Sequence, residues 1–104
     1  MINKMQESAF QIIAVVGTAK SCYIEAMQIS RTGNFDEARA KIKEGDGFYA
    51  EAHKFHFELI QMESNGEQLP FSILFMHAED QLLNTETIKI MAEEIIMLRE
   101  EKND

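Results

Sequence analysis

Tryptophan is absent from this chain, cysteine and proline occur once each, and glycine appears only 5 times in 104 residues. The single Cys22 can form no internal disulfide and leaves no set of thiolates to hold zinc, a pattern that fits a reducing cytoplasm. With so little glycine and proline and no low-complexity stretch, no segment reads as a flexible linker, and residues 1–104 are expected to form one domain. Positive charge is also short. Ten Lys and Arg stand against 18 Asp and Glu, and the net charge of −8 opposes the phosphate attraction on which nucleic-acid binding depends. Long apolar runs are missing too: Ile12-Ile13-Ala14-Val15-Val16 is far too short to span a bilayer, and no basic leader precedes it. There is no Gly-rich phosphate loop, no Walker lysine motif, no serine nucleophile elbow and no dinucleotide fingerprint, so any phosphoryl chemistry has to use a donor other than bound ATP.

What is present is helical periodicity, interrupted twice. Thr32-Gly33-Asn34 can end one helix and cap the next, with Asp36 and Glu37 set against the positive end of the second helix dipole. Ser64-Asn65-Gly66-Glu67-Gln68-Leu69-Pro70 forms the second break, where Gly stops a helix and Pro marks the start of another. Apolar stripes run through Ile12, Val16, Ala19, Tyr23 and Met27, and through Ala38, Ile42, Gly45, Tyr49, Ala52, His56 and Leu59. Strand-like alternation is absent. Gly45 and Gly47 each weaken the second helix by roughly 1 kcal/mol relative to Ala, and both read as points of close helix approach. The expected fold is all-α: three helices of about 25 to 30 residues in an up-down-up antiparallel bundle. Its 45% apolar composition exceeds what three helices readily hide, so bundles are expected to associate, most economically as a cyclic oligomer.

The third helix carries the anomaly. Stepping by three and four, Ile73, His77, Asp80, Asn84, Thr87, Met91, Ile95 and Leu98 share a face, so two ionisable residues fall on the line expected to be most apolar. A carboxylate removed from water needs pairing, hydrogen bonds or a metal, so Asp80 calls for a partner. Its i,i+3 spacing from His77 lets it steer the imidazole, bind a cation beside it, or salt-bridge across a helix interface. His53 and His56 repeat that interval and offer two ligands of a transition-metal site, against a default of one surface and one hydrogen-bonding histidine. Met27, Met62, Met76 and Met91 sit at core spacing and read as packing. Arg99-Glu100-Glu101-Lys102-Asn103-Asp104 reads as a solvated, fraying helix end.

Gly17-Thr18-Ala19-Lys20-Ser21, Ala50-Glu51-Ala52-His53, Gly66-Glu67-Gln68-Leu69-Pro70-Phe71-Ser72 and His77-Ala78-Glu79-Asp80-Gln81-Leu82, in that order, resemble the lactose/cellobiose-type enzyme IIA component of the phosphoenolpyruvate-dependent sugar phosphotransferase system. The resemblance covers nearly the whole chain, and the last two motifs are the distinctive ones. It implies a three-helix subunit that assembles as a homotrimer with the third helices near the axis. His77 then falls on the phosphorylated histidine, which receives its group from the histidine-containing phosphocarrier protein and hands it to a cysteine of the sugar-specific IIB component, linked to a membrane IIC component. Asp80 falls on the aspartate that, one from each subunit, holds a divalent cation, usually magnesium, on the threefold axis. Three converging carboxylates repel one another unless a cation intervenes, and all-oxygen ligation suits a hard ion.

Two positions depart from the pattern. Gln81 stands where the family usually has a second histidine, and His56 where it usually has a glutamine, as though the two had exchanged helices. His56 and Gln81 are therefore expected to flank His77 in support. To attack phosphorus, His77 has to present an unprotonated ring nitrogen while the other is held by an acceptor. The added phosphoryl group, at about −1.5 to −2 charges beside Glu79 and Asp80, requires a nearby cation or helix-end amides. Two other classes stay open at this point: a non-catalytic helical module whose polar stripe only fixes oligomer register, and a metal-storage bundle built on His53 and His56.

Overall fold

Three long helices account for nearly all of residues 3–69 and 72–103, the part of the chain described by the computed structural model: α1 Lys4–Ser30, α2 Phe35–Ser64 and α3 Ile73–Lys102. Each boundary has a local cause. Asn3 and Gln6 form a reciprocal capping box, the Asn3 side chain accepting from the Gln6 amide at 2.8 Å and the Gln6 side chain from the Asn3 amide at 3.1 Å. Gly33 and Gly66 turn the chain at φ +85° and +91°, a region that favours glycine. Asn34 is the N-cap of α2 as expected, but its side chain donates to Thr32 Oγ1 at 3.0 Å instead of accepting a helix amide. α3 opens at Ile73, capped by Ser72 Oγ accepting from the Phe75 amide at 3.3 Å; Pro70, expected to mark this start, lies outside the described residues.

Cross-helix pairs establish the topology. Lys20 meets Gln81 and Met27 meets Arg99, so α1 and α3 run the same way, whereas His56–Glu79, Tyr49–Glu86, Asp46–Lys89 and Arg39–Glu100 fix α2 and α3 as antiparallel. The result is the up-down-up arrangement. α1 is the central element, packing along both other helices, while α2 and α3 barely approach through their backbones and meet mainly through those long polar pairs. By length and composition α1 is apolar enough to cross a membrane, but its stripe Ile12, Val16, Ala19 and Tyr23 is at most 1% exposed because α2 and α3 cover it. The core helix of a bundle has that same composition.

Two apolar clusters make the core. One joins Met5, Ala9, Ile12 and Val16 to Ala52, Leu59, Ala78 and Leu82; the other joins Ala19, Tyr23 and Ala26 to Ala38, Ile42, Ala92 and Ile96. Of the two α2 glycines, only Gly45 is a packing residue. A Cβ there would lie 2.7 Å from Tyr23 Cε1 and 3.0 Å from Cys22 Cβ, whereas at Gly47 it would meet nothing within 4 Å. Met27 and Met62 pack against the clusters, but Met76 and Met91 are about half exposed, against the expectation that all four are core.

The largest correction concerns α3. The residues it buries are Ala78, Leu82, Thr85, Ala92 and Ile96, and the line through Ile73, His77, Asp80, Asn84, Thr87, Met91 and Leu98 points away from the other helices. Apolar residues lie nearly all round this helix, so spacing alone does not say which line is turned inward. Small residues at positions 78, 85 and 92 allow α1 to come close, and that selects the buried side. Among the described residues, seven of the eleven large hydrophobic residues left exposed belong to α3: Ile73, Met76, Leu83, Ile90, Met91, Met97 and Leu98. The chain exposes 6784 Å² where a compact monomer of its mass exposes about 5900 Å², and its radius of gyration is 16.4 Å against about 13 Å.

The C-terminal turns of α3 are also more engaged than expected. Arg99 Nη1 donates to Met27 O and to Ser30 Oγ, each at 2.6 Å, so a cation from α3 serves the end of α1, which has no basic residue in its own last turn. Arg39 and Glu100 form a bidentate pair. Its first two residues are thus tied to other helices, while Glu101, Lys102 and Asn103 are exposed, as expected of a solvated end.

Candidate functional site

His77 projects from the second turn of α3, held by a helix whose opposite side, at Ala78 and Leu82, is fully packed. Its ring is exposed, and among the described residues no hydrogen bond engages either nitrogen. Asp80 is exposed on the same outward side, one turn on, with no ion pair or hydrogen bond among the described residues. The two share one face of α3, turned away from the other helices.

The two candidate supporting residues occupy opposite shoulders of α3. His56 is half-buried, and its Nε2 is hydrogen-bonded to Glu79 Oε1, on the α2 side. Gln81 is half-buried on the α1 side, where its Oε1 accepts from Lys20 Nζ at 3.0 Å. Within one subunit these bonds run to Glu79 and Lys20, and neither runs to His77. His53 is exposed, with its ring edge-on to Tyr49 at 4.8 Å and to His56 at 6.5 Å between centroids. No group of three or more His, Cys, Asp or Glu able to hold a metal occurs among the described residues of one subunit.

Lys20 and Glu79 are the neighbours that sequence spacing does not single out. Lys20 lies 61 positions from Gln81, and only the packing of α1 on α3 unites them. Cys22, by contrast, is not a second nucleophile. It is buried against Gly45, and its thiol is pushed up first by desolvation and then by the Glu44 carboxylate, which keeps it protonated and inert.

An exposed imidazole on a rigid three-helix unit suits exchange with a docked macromolecule better than an enclosed small-molecule reaction. The family model described as the lactose/cellobiose-specific IIA subunit of the PTS, the sugar phosphotransferase system, matches residues 7–100, all of the three helices but the first three residues of α1 and the last two of α3. The chain belongs to this family. Among IIA relatives, the chain is 40% identical to the oligo-beta-mannoside-specific EIIA component of Bacillus subtilis (strain 168), over 94% of this chain and 89% of that protein. It is 39% identical to the lichenan-specific IIA component of the same organism, over 96% and 91%. The crystal structure of the cellobiose-specific enzyme IIA from Bacillus anthracis superposes with a TM-score of 0.95 at 36% identity, covering 99% of this chain and 94% of that one. The lactose/cellobiose IIA fold is thus the fold of this chain. Its membership makes it a component of the sugar phosphotransferase system, in the transferase class, and supports a phosphocarrier role.

Proposed function

We propose that His77 is the transient phosphoryl carrier of this IIA component. It accepts the group from the histidine-containing phosphocarrier protein and surrenders it to a cysteine of the sugar-specific IIB component, linked to a membrane IIC component. The observation that carries this reading is an exposed, unengaged imidazole on a helix anchored from behind. The N–P bond forms at an unprotonated His77 nitrogen as the donor's own N–P bond breaks, its electron pair returning to the donor imidazole. Because the ring is reached from the surface, donor and acceptor proteins can dock in turn. The exchange takes place in the cytoplasm, consistent with a single, reduced Cys22. The names of the relatives cite oligo-beta-mannoside, lichenan and cellobiose, which supports a cellobiose- or lactose-like sugar as the cargo.

The working unit in this reading is a homotrimer around α3. Its support is the uncovered face of Ile73, Met76, Leu83, Met91 and Leu98, and a surface area larger than a compact monomer of this size exposes. Asp80, single and unpartnered on that face, fits a shared cation only through copies of itself. One Asp80 from each of three subunits would hold Mg²⁺ on the axis, where the ion supplies positive charge against the repulsion of the carboxylates. His56 and Gln81 act from the flanks of α3, His56 by holding Glu79 away from the phosphoryl group and Gln81 through Lys20.

Incubation with phosphoenolpyruvate, the general phosphotransferase enzyme and the phosphocarrier protein tests the reading. An acid-labile phosphoryl adduct should form on the wild type and be abolished in His77→Ala without a change in helicity. Light scattering should give three chains per particle, with Asp80→Asn losing any Mg²⁺ dependence of that assembly. A wild-type chain that takes no label would instead be a helical interaction module.

A further inference from the structure

We propose that Lys20 is the cation that receives the phosphoryl group on His77, and that Gln81 holds its ammonium in readiness. This inference rests on the phosphocarrier reading above and names a residue that reading does not require. The site is short of positive charge where it needs it, because a shared Mg²⁺ would be outweighed by the three Asp80 carboxylates that hold it. A phosphoryl group brings about −1.5 to −2 charges to a helix turn that already carries Glu79 and Asp80, on a chain of net charge −8.

The other cations that reach across helices are committed elsewhere. Arg39 is paired with Glu100, Lys41 with Glu25 and Glu44, Lys89 with Asp46, and Arg99 with the end of α1. Lys20 differs: Arg99 also lacks a carboxylate among the described residues but is fixed by two bonds at the far end of α3, whereas Lys20 makes a single bond, to the residue one turn beyond His77. It is half-buried at the α1–α3 seam, and among the described residues its ammonium has no carboxylate partner, only the neutral amide oxygen of Gln81 at 3.0 Å. Gln81 is one helical turn beyond His77, a rise of about 6 Å along the axis. The remaining N–H donors of the ammonium are therefore within a side-chain movement of a group on the His77 ring.

The choice of partner has a physical logic. An amide oxygen orients an ammonium without neutralising it, so the charge is available when an anion arrives, whereas a carboxylate would compete for it. No bond to Lys20 is made or broken in the transfer. Its contribution is the charge-assisted hydrogen bond to a phosphoryl oxygen, present with the phosphoryl group and absent without it.

Lys20→Gln, Lys20→Arg and Gln81→Glu provide the test, each first verified to have wild-type helicity and oligomeric state. Adduct formation from the phosphorylated phosphocarrier protein should slow roughly tenfold to a hundredfold in Lys20→Gln, recover largely in Lys20→Arg, and slow in Gln81→Glu, where a carboxylate ties up the ammonium. A ³¹P titration of the adduct should give a higher second phosphate pKa in Lys20→Gln than in wild type. Wild-type rates and an unchanged titration in Lys20→Gln, while the wild type labels on His77, would overturn this inference and leave the carrier reading standing. A slower Lys20→Gln whose phosphate titrates as in wild type would assign Lys20 to partner docking and equally overturn it. No label on the wild type would remove the carrier reading itself.

Discussion

The two ends of the bundle treat charge in opposite ways. Towards the C-terminal end of α3, several long polar side chains that cross between helices have fixed partners. Tyr23 donates to Asp46 at 2.7 Å, Asp46 also takes Lys89 at 3.0 Å, Arg99 serves the carbonyl end of α1, and Arg39 holds Glu100. Towards the N-terminal end, His77 and Asp80 have no partner among the described residues, and Lys20 has only an amide. Burial is equally complete behind both ends, with Ala78 and Leu82 packed as tightly as Ala92 and Ile96. Core formation does not account for the difference. One end uses its polar groups to lock three helices in register, while the other, apart from the His56–Glu79 bond, leaves His77 and Asp80 unengaged among the described residues.

The sharpest way to break the locked end is Gly45→Ala. The new methyl would arrive 2.7 Å from the ring of a fully buried Tyr23 and 3.0 Å from Cys22 Cβ, and neither can retreat, because the first is packed on all sides and the second is backbone-anchored. Overpacking of this kind costs about 1–3 kcal/mol, more than the gain of roughly 1 kcal/mol from replacing a helical glycine. Thermal or urea unfolding should therefore find the variant less stable. A variant as stable as wild type would mean that α1 and α2 are not in such close contact.

How much of this was legible beforehand depends on which helix is considered. α1 and α2 each carry one dominant apolar stripe, and its residues Ile12, Val16, Ala19, Tyr23 and Ala38, Ile42, Ala52, Leu59 are buried as spacing predicts. α3 is apolar on two sides, one for the bundle and one left open, and periodicity cannot rank them, so its outward line reads in sequence as the inward one. The error leaves the significance of His77 and Asp80 intact and changes its basis: they are anomalous because they interrupt an exposed apolar face, not a buried one. Pairings such as Lys20 with Gln81 or Arg99 with Met27 depend on the axial offset of α1 against α3, which no local pattern encodes. Gly45 and Gly47 looked alike in sequence, and only the neighbouring helix distinguishes them.

The second way to probe the locked end is alkali. Burial and then the Asp46 carboxylate, as hydrogen-bond acceptor and as charge, push the Tyr23 phenol well above its ordinary value near 10. In the unfolded chain the phenol ionises above about pH 10, while the folded form keeps its proton. The unfolded state then binds fewer protons than the native state, so stability falls as pH rises through that window, by at most about 1.4 kcal/mol per pH unit for this one group. Tyr49, pushed up to about 12 by desolvation and by Glu86, adds a weaker slope of the same sign. Tyr23→Phe should flatten the alkaline limb of a stability profile while losing the bond to Asp46 at neutral pH. An equally steep limb in the variant would assign the alkaline loss to other groups.

The smallest effect belongs to the unengaged end, and it has the opposite sign. Gly17 sits one turn before Lys20 on the exposed side of α1, and a Cβ there would meet nothing within 4 Å. Gly17→Ala removes backbone freedom from the unfolded chain and adds no clash, so it should stabilise the fold by about 0.5–1 kcal/mol, a rise of a few degrees in Tm. Gly45 and Gly17 thus make a matched pair in which the same methyl is harmful at a closed seam and helpful at an open one. The informative measurement is phosphoryl transfer in the stabilised Gly17→Ala chain. Transfer at the wild-type rate would leave Gly17 with no role beyond tolerating exposure. A slower rate in a more stable protein would mean that the open surface beside Lys20 is occupied when a partner docks, because a defect in folding would have moved the melting temperature the other way.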